Sequence, residues 1–424
     1  MLDIKFIREN PDTVKWASKV KCFPDHTDEI IELDRRVREL KTLTETKTAE
    51  KNKITKQIPT AAAADKAALV AESKKIADEI ADELAELAKK ESDLNELMLN
   101  VPQIPDKNSP VGPDASANVV TKTVGKPAKF DFTPRAHWDI LDMNKWWMGD
   151  KIADVTGART YTLMGEAAEL DLAIQTFVIK KLIAKGFTYI QVPALAKPQA
   201  IFDAGHFRGS DFSIMANDVF YLNVPDKCLA GTAEIVLNSL HKGEILNESD
   251  LPIKYAGYSP CYRKEAGAAG RDTRGLIRIH QFHKVEQFIF CRPDQSDEMH
   301  ALLLSILEEV MADLELPYHV LSTSTGDMGF NKIKMDDVES WFPGQDKYIE
   351  LGSCSSIGEF QARRTNTRYR DKDGVHFCAT LNNTAMALPR SLAAVLENHQ
   401  NADGGVNIPN ALRSLMGGRA KIGG

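Results

Sequence analysis

The chain lacks the cysteine spacing of a cross-linked or zinc-stapled fold. Its six cysteines, Cys22, Cys228, Cys261, Cys291, Cys354 and Cys378, are scattered and form no C-x-x-C pair. Reduced thiols in a cytoplasmic protein fit that spacing better than a disulfide framework. No run of about 18 apolar residues exists, so no membrane span is expected. The opening MLDIKFIRENPD has no apolar block of the signal-peptide kind. There is no Walker loop, no G-x-G-x-x-G behind a strand and no internal repeat, so any nucleotide site must be built without a Rossmann turn. The net charge of −7 argues against general nucleic-acid affinity, although cations can still be concentrated locally.

What is present is length and patterning. The 424 residues, 43% of them hydrophobic, suffice for more than one domain and a large core. Residues 1–100 form a first region. Asp28 to Ile58 is charged, free of Gly and Pro, and carries Ile30, Leu33, Val37 and Leu40 at 3-4 spacing. Asp65 to Leu99 repeats the theme with Ile76, Ile80, Leu84, Leu87, Leu94 and Leu97. Two long helices about Pro59 predict an antiparallel coiled coil, each helix about 45 Å long at roughly 1.5 Å per residue. The seam fades at Thr44, Lys47 and Lys51, near the turn. On pattern alone such an arm is a dimerisation rod or spacer.

Residues 101–118 read as a linker, with Pro102, Pro105, Pro110, Gly112 and Pro113. Residues 119–424 mix strands and helices without regular βαβ alternation. That predicts an α+β fold: an antiparallel sheet flanked by helices.

Within this region Ile277 to Phe290, IRIHQFHKVEQFIF, is rich in β-branched and aromatic residues and predicts a strand. Period two would set Arg278, His280, Phe282, Lys284 and Glu286 on one face. By the same rule His280 and His283 point to opposite faces, which speaks against joint metal ligation. Ile253 to Arg263 predicts a partner strand, joined by a long loop from Lys264 to Leu276 that holds Arg271 and Arg274. Loops of that length are usually functional or disordered. A cation, a basic loop, an aromatic plate and a carboxylate together suit a site for a nucleotide and a small amine-bearing substrate.

This segment, Ser259–Gly267, Gly270–Gly275 and Arg278–Glu286, closely resembles motif 2 of class II aminoacyl-tRNA synthetases in the version found in seryl-tRNA synthetases. The resemblance extends along essentially the whole chain. Leu170 to Lys185, then Gly186 to Pro193, resembles the helix and strand of motif 1, which builds the dimer interface in the family. By pattern alone this is a buried helix–strand unit. Thr232-Ala233-Glu234 resembles the T-x-E element beside the amino acid, with Gly231 where the family often has Pro. Glu350-Leu351-Gly352-Ser353, followed by Cys354-Ser355-Ser356 and Phe360–Arg364, resembles the family's E-(I/V)-S-S-C-S-N…FQARR. It departs at Gly352 and Ser356. Leu381–Thr384 with Leu388-Pro389-Arg390 resembles motif 3.

The resemblance implies activation of L-serine with ATP and Mg2+, transfer to tRNA(Ser), with tRNA(Sec) as a further substrate, and a cytoplasmic homodimer. It implies catalytic roles for Arg263 and Arg390. Serine would be bound by Thr232, Ala233, Glu234, Arg263, Glu286, Asn382 and Thr384. ATP would be bound by Arg263, Lys264, Glu265, Ile279, Phe282, Glu350, Leu351, Gly352, Ser353 and Arg390. Glu350 and Ser353 would hold the magnesium of the nucleotide. The family's arm grips tRNA, which assigns RNA contacts to Arg35, Arg36, Arg38, Lys41 and Lys47, together with Arg271 and Arg274 from the motif 2 loop. Two rival readings share the catalytic core: an amino acid–carrier protein ligase, which generally lacks the arm, and a non-catalytic RNA-binding paralogue. The joint presence of Arg263, Glu265, Glu286, Glu350 and Arg390 argues against a decayed site.

Overall fold

The computed structural model describes residues 1–207, 218–224, 226–266 and 274–424. The chain divides into two compact units, one of Met1–Lys19 and Phe23–Pro102, the other of Val20–Cys22 and Gln103–Gly424.

The smaller unit is helical. Two short helices, Ile4–Glu9 and Pro11–Val20, precede two long ones, Thr27–Gln57 and Ala63–Asn100. The long helices pack antiparallel through Val37, Leu40 and Leu87, with Leu94 against them. The seam differs from the spacing-based expectation at one turn. Leu84 is 49% exposed. Glu83 takes its place and meets Lys47 Nζ at 2.6 Å, while Glu79 meets the same amine at 2.7 Å. An ion pair in place of an apolar contact keeps the helices in register without requiring burial of Leu84.

The larger unit is built on eight strands, β1 (Val119–Val124), β2 (Thr188–Gln191), β3 (Ile253–Tyr262), β4 (Gln281–Cys291), β5 (Tyr318–Ser322), β6 (Lys334–Phe342), β7 (Lys347–Gly358) and β8 (Ala379–Leu388). Their order is β1-β5-β6-β7-β8-β4-β3-β2. All neighbours are antiparallel except β2 and β3, which are parallel. Helices Gly165–Ala184, Ser296–Asp313 and Arg390–Asn398 pack on the sheet. Leu170, Leu303, Leu307, Val338, Leu381 and Leu392 meet in a single core beneath them.

Two bulges set up the functional end of the sheet. β7 shifts register between Glu350 and Gly352, and β8 between Thr384 and Met386. A bulge inserts a residue and re-aims the side chains around it. Gly352 is required there: a Cβ would stand 2.5 Å from the Thr384 carbonyl oxygen and 2.7 Å from Leu307 Cδ2. The serine usual in the family at this position would not fit the present packing.

Of residues 101–118, expected as a linker, 103–118 are part of the larger unit. Gln103 N–H donates to the Phe330 carbonyl and Asp106 N–H to that of Ile333, both at 2.8 Å. Apart from one 3-10 turn at Ala115–Ala117 the segment is irregular, and its backbone finds partners in the neighbouring 324–333 segment.

Candidate active site

The site lies where β3, β4, β7 and β8 adjoin. β4 begins at Gln281, four residues later than the sequence pattern suggests. The ladder ends at His280, whose carbonyl still accepts from Arg263 N–H at 2.9 Å while its own N–H donates to the Arg159 carbonyl at 2.9 Å. Arg278 and His280 therefore leave the expected face. Arg278 pairs with Glu265 at 2.6 Å, and His280 Nδ1 lies 3.0 Å from the Arg263 carbonyl. Phe282, Lys284 and Glu286 remain together on one face, as period two requires.

Two adjoining cavities open on that face. The first is lined by Glu265, Ile277, Ile279, Phe282, Leu351, Leu388, Pro389 and Arg390. The second is lined by Thr232, Glu234, Glu286, Ser353 and Asn382, together with His206, Asn331 and Lys332. Arg263, Lys284, Glu350 and Thr384 line both. The guanidinium, ring and carboxylate singled out from the sequence thus share one continuous site, with Arg263 at the junction.

The first cavity combines an aromatic plate with cations. The Arg263 guanidinium lies over Phe282, and Arg263 Nε donates to the Gly231 carbonyl at 3.3 Å. Arg390 starts its helix directly after β8 and is held at two points. Its Nε donates to the Ile277 carbonyl and its Nη1 to the Glu350 carbonyl, both at 3.0 Å. Its Nη1 is also 3.7 Å from the Glu350 carboxylate. A stacking surface flanked by two guanidinium groups suits a nucleotide with charged phosphates.

The second cavity is acidic at its base. Glu234 Oε1 accepts from Gln361 Nε2 at 2.7 Å and Asn382 Nδ2 at 2.8 Å. Glu286 is ion-paired to Lys284 and accepts a long 3.4 Å hydrogen bond from Thr384 Oγ1. Lys284 Nζ reaches Thr384 Oγ1 at 3.3 Å. Burial pushes the carboxyls of both Glu234 and Glu286 upward, against the pull of Lys284. Two buried acids, one of them paired with Lys284, offer acceptors that suit an ammonium and a small hydroxyl.

Not every predicted residue joins the site. Lys264 faces away: its amine is 5.8 Å from the Phe220 ring, in a separate cavity with Tyr262 and His280. Ala233 is fully buried and lines neither cavity. Gly352 acts through packing. Arg274 lies over Trp138 and within 3.8 Å of Asp139 and Asp142. Arg271 lies outside the described residues, as do Gly267 and Gly270. In the helical unit the proposed RNA-binding cations have carboxylate partners. Arg35 pairs with Glu32 and Glu39, Arg38 with Asp34, Arg36 with Glu86, and Lys41 with Glu91.

Sequence reasoning gave no role to Lys284, Gln361 or Lys332. Period two put Lys284 on the correct face, which was the available signal. Gln361 sits in the Phe360–Arg364 segment already matched to the family pattern, which marked its place but not its contact with Glu234, and Lys332 comes from a distant segment with no local pattern to mark it.

The Glu350 region suits a hard cation. Ser353 lies beside Asp337, and burial together with the Glu350 charge pushes the Asp337 carboxyl up to about 8. The oxygen atoms of Glu350 and Ser353 are the hard donors that magnesium prefers.

Comparison with known proteins agrees along the whole chain. Residues 1–105 match the model of the seryl-tRNA synthetase N-terminal domain, and residues 222–399 that of the class II tRNA synthetase core domain (G, H, P, S and T). The serine–tRNA ligase of Deinococcus radiodurans is 43% identical over 100% of this chain and 99% of its own length. That of Symbiobacterium thermophilum is 40% identical over 97% and 98%. Among solved structures, seryl-tRNA synthetase from Pyrococcus horikoshii complexed with ATP superposes with a TM-score of 0.93 at 35% identity, covering 100% of this chain and 99% of that one.

Proposed function

The chain belongs to the seryl-tRNA synthetase family and is a class II serine–tRNA ligase, and on that premise we propose how its own residues divide the reaction. The cavity with Phe282 and Arg390 takes ATP, with adenine stacked on the Phe282 ring and Ile279 beside it. The cavity with Glu234 and Glu286 takes L-serine. Glu234 accepts from the substrate ammonium, held in place by Gln361 and Asn382. Glu286 and Thr384 meet the hydroxyl.

Arg263 lines both cavities, and this single observation carries the reading. A serine carboxylate at the junction faces the α-phosphate, and its oxygen forms the new bond as pyrophosphate leaves. Arg263 neutralises the charge that redistributes there, and Arg390 holds the outer phosphates or covers the base. Catalysis is positioning plus charge stabilisation, without a covalent enzyme intermediate. Glu350 and Ser353 would hold magnesium, which supplies charge neutralisation to the phosphates. Glu265, tied to Arg278, orients the base of the loop beside adenine.

The terminal ribose hydroxyl of tRNA(Ser), and of tRNA(Sec) as a further substrate, then takes the seryl group. The helical arm makes the RNA backbone contacts. A homodimer is supported by Leu172, Ile183 and Tyr189, exposed by 60%, 50% and 38% on the motif 1 helix and its edge strand. A cytoplasmic location fits six cysteines without a disulfide.

The test is ATP–pyrophosphate exchange with each of the twenty amino acids, then charging of bulk tRNA. Serine alone should support both. Exchange with serine but no tRNA charging would instead favour transfer to a carrier protein.

A further inference from the structure

A closed circuit of hydrogen bonds begins and ends on the Arg390–Asn398 helix. Near its C-terminus Glu397 is fully buried. Its Oε1 accepts from His137 N–H at 3.0 Å and Gln345 Nε2 at 2.9 Å, and its Oε2 from Gly344 N–H at 2.9 Å. The same Oε1 lies 2.7 Å from His137 Nδ1. The imidazole, also fully buried, receives Leu276 N–H on Nε2 at 2.9 Å. One residue on, the Ile277 carbonyl accepts from Arg390 Nε, which returns to the first turn of the helix.

The circuit fixes the imidazole tautomer. Nε2 accepts a backbone N–H, so it carries no proton, and Nδ1–H must donate to Glu397. Only a ring with this proton placement joins the carboxylate to the backbone. Gly275 keeps the approach open, since a Cβ there would stand 2.3 Å from His137 Nε2. Gly275 also adopts φ +78°, a conformation that suits glycine.

Leu276, Ile277 and Arg390 all line the first cavity. We propose that His137, with Glu397, is a positioning residue for adenylation: it seats the Leu276–Ile277 backbone and so aims Arg390 into the nucleotide cavity. His137 touches no substrate. Its effect reaches ATP through one backbone carbonyl, while the acidic serine socket is held by Gln361, Asn382 and Lys284. The inference rests on the assignment of the Arg390 cavity to ATP.

The experiment uses the full-length enzyme. His137→Asn can keep the Glu397 contact through its amide nitrogen but cannot reach Leu276. The KM for ATP in serine-dependent exchange should rise about tenfold, the scale of one lost hydrogen bond, with the KM for serine within about twofold. In an Arg390→Ala background the same substitution should add little, because the two residues lie on one path. Equal shifts in both KM values, unchanged KM values, or full additivity with Arg390→Ala would overturn the proposal. If His137→Asn does not fold, Gly275→Ala disturbs the same contact from the backbone side and is read by the same criteria. Arg390→Ala alone separates the two levels. An unchanged KM for ATP in that variant removes the ATP assignment, whereas a raised value beside a silent His137→Asn removes only the positioning role.

Discussion

The guanidinium carbon of Arg263 lies 5.2 Å from the centroid of the Phe282 ring. The cation therefore rests on the surface that a purine base would use, at the boundary with the serine socket. On the proposed assignment of adenine to this ring, binding of the base would displace the guanidinium toward the phosphates.

Arg263→Ala should lower serine-dependent ATP–pyrophosphate exchange by at least about 10²-fold, the scale of losing a preorganised charge at the reacting centre. The side chain is exposed, so the melting midpoint should stay close to that of the parent. Near-normal exchange would remove Arg263 from its assigned role.

Thr384→Ala should weaken the discrimination of serine from alanine by about tenfold or more. A site that hydrogen-bonds a substrate hydroxyl rejects the analogue lacking it because polar groups are left unpaired. Exchange kinetics with both amino acids measure the ratio. An unchanged ratio would place the hydroxyl elsewhere.

Glu350→Gln should shift the magnesium dependence of exchange to higher concentration, since a hard carboxylate donor is replaced by a neutral amide. Magnesium titrations at fixed ATP give the answer. Overlapping curves for the two proteins would exclude Glu350 as a ligand.

Asp337 has a distinct pH signature. Its folded-state value of about 8 stands above the ordinary 3.8. The stability associated with its neutral form is full below the unfolded value and is lost as pH rises through about 8. Asp337→Asn cannot ionise, so its melting temperature should fall less between pH 5 and pH 9 than that of the parent. Parallel curves would contradict the assignment.

Removal of residues 30–97 should leave exchange intact and cripple tRNA charging. The larger unit contains every residue of both cavities. Charging at the full rate would make the arm a structural element only.

Much of this architecture is readable in the sequence because period and punctuation are local. Phe282, Lys284 and Glu286 alternate, and the prolines and glycines around them mark where the hairpin opens. The long helices follow from apolar spacing and the break at Pro59. What is not readable depends on partners far along the chain. The ladder ends at His280, where the Arg159 carbonyl captures its N–H. Leu84 yields its seam position to Glu83 because Lys47 stands opposite. Gly352 departs from the family pattern because Leu307 and the Thr384 carbonyl occupy the space. Gln361 serves Glu234 across 127 positions. Side-chain periodicity carries none of these relationships.

The ion pairs across the long helices have a consequence for RNA. Arg36 and Lys41 already face Glu86 and Glu91 at 2.8 Å and 2.7 Å, and Lys47 faces two carboxylates. A phosphate arriving there exchanges one anion for another and leaves an acid to be resolvated. Such an exchange frees fewer bound small ions than a tally of basic residues implies, which flattens the dependence of affinity on ionic strength.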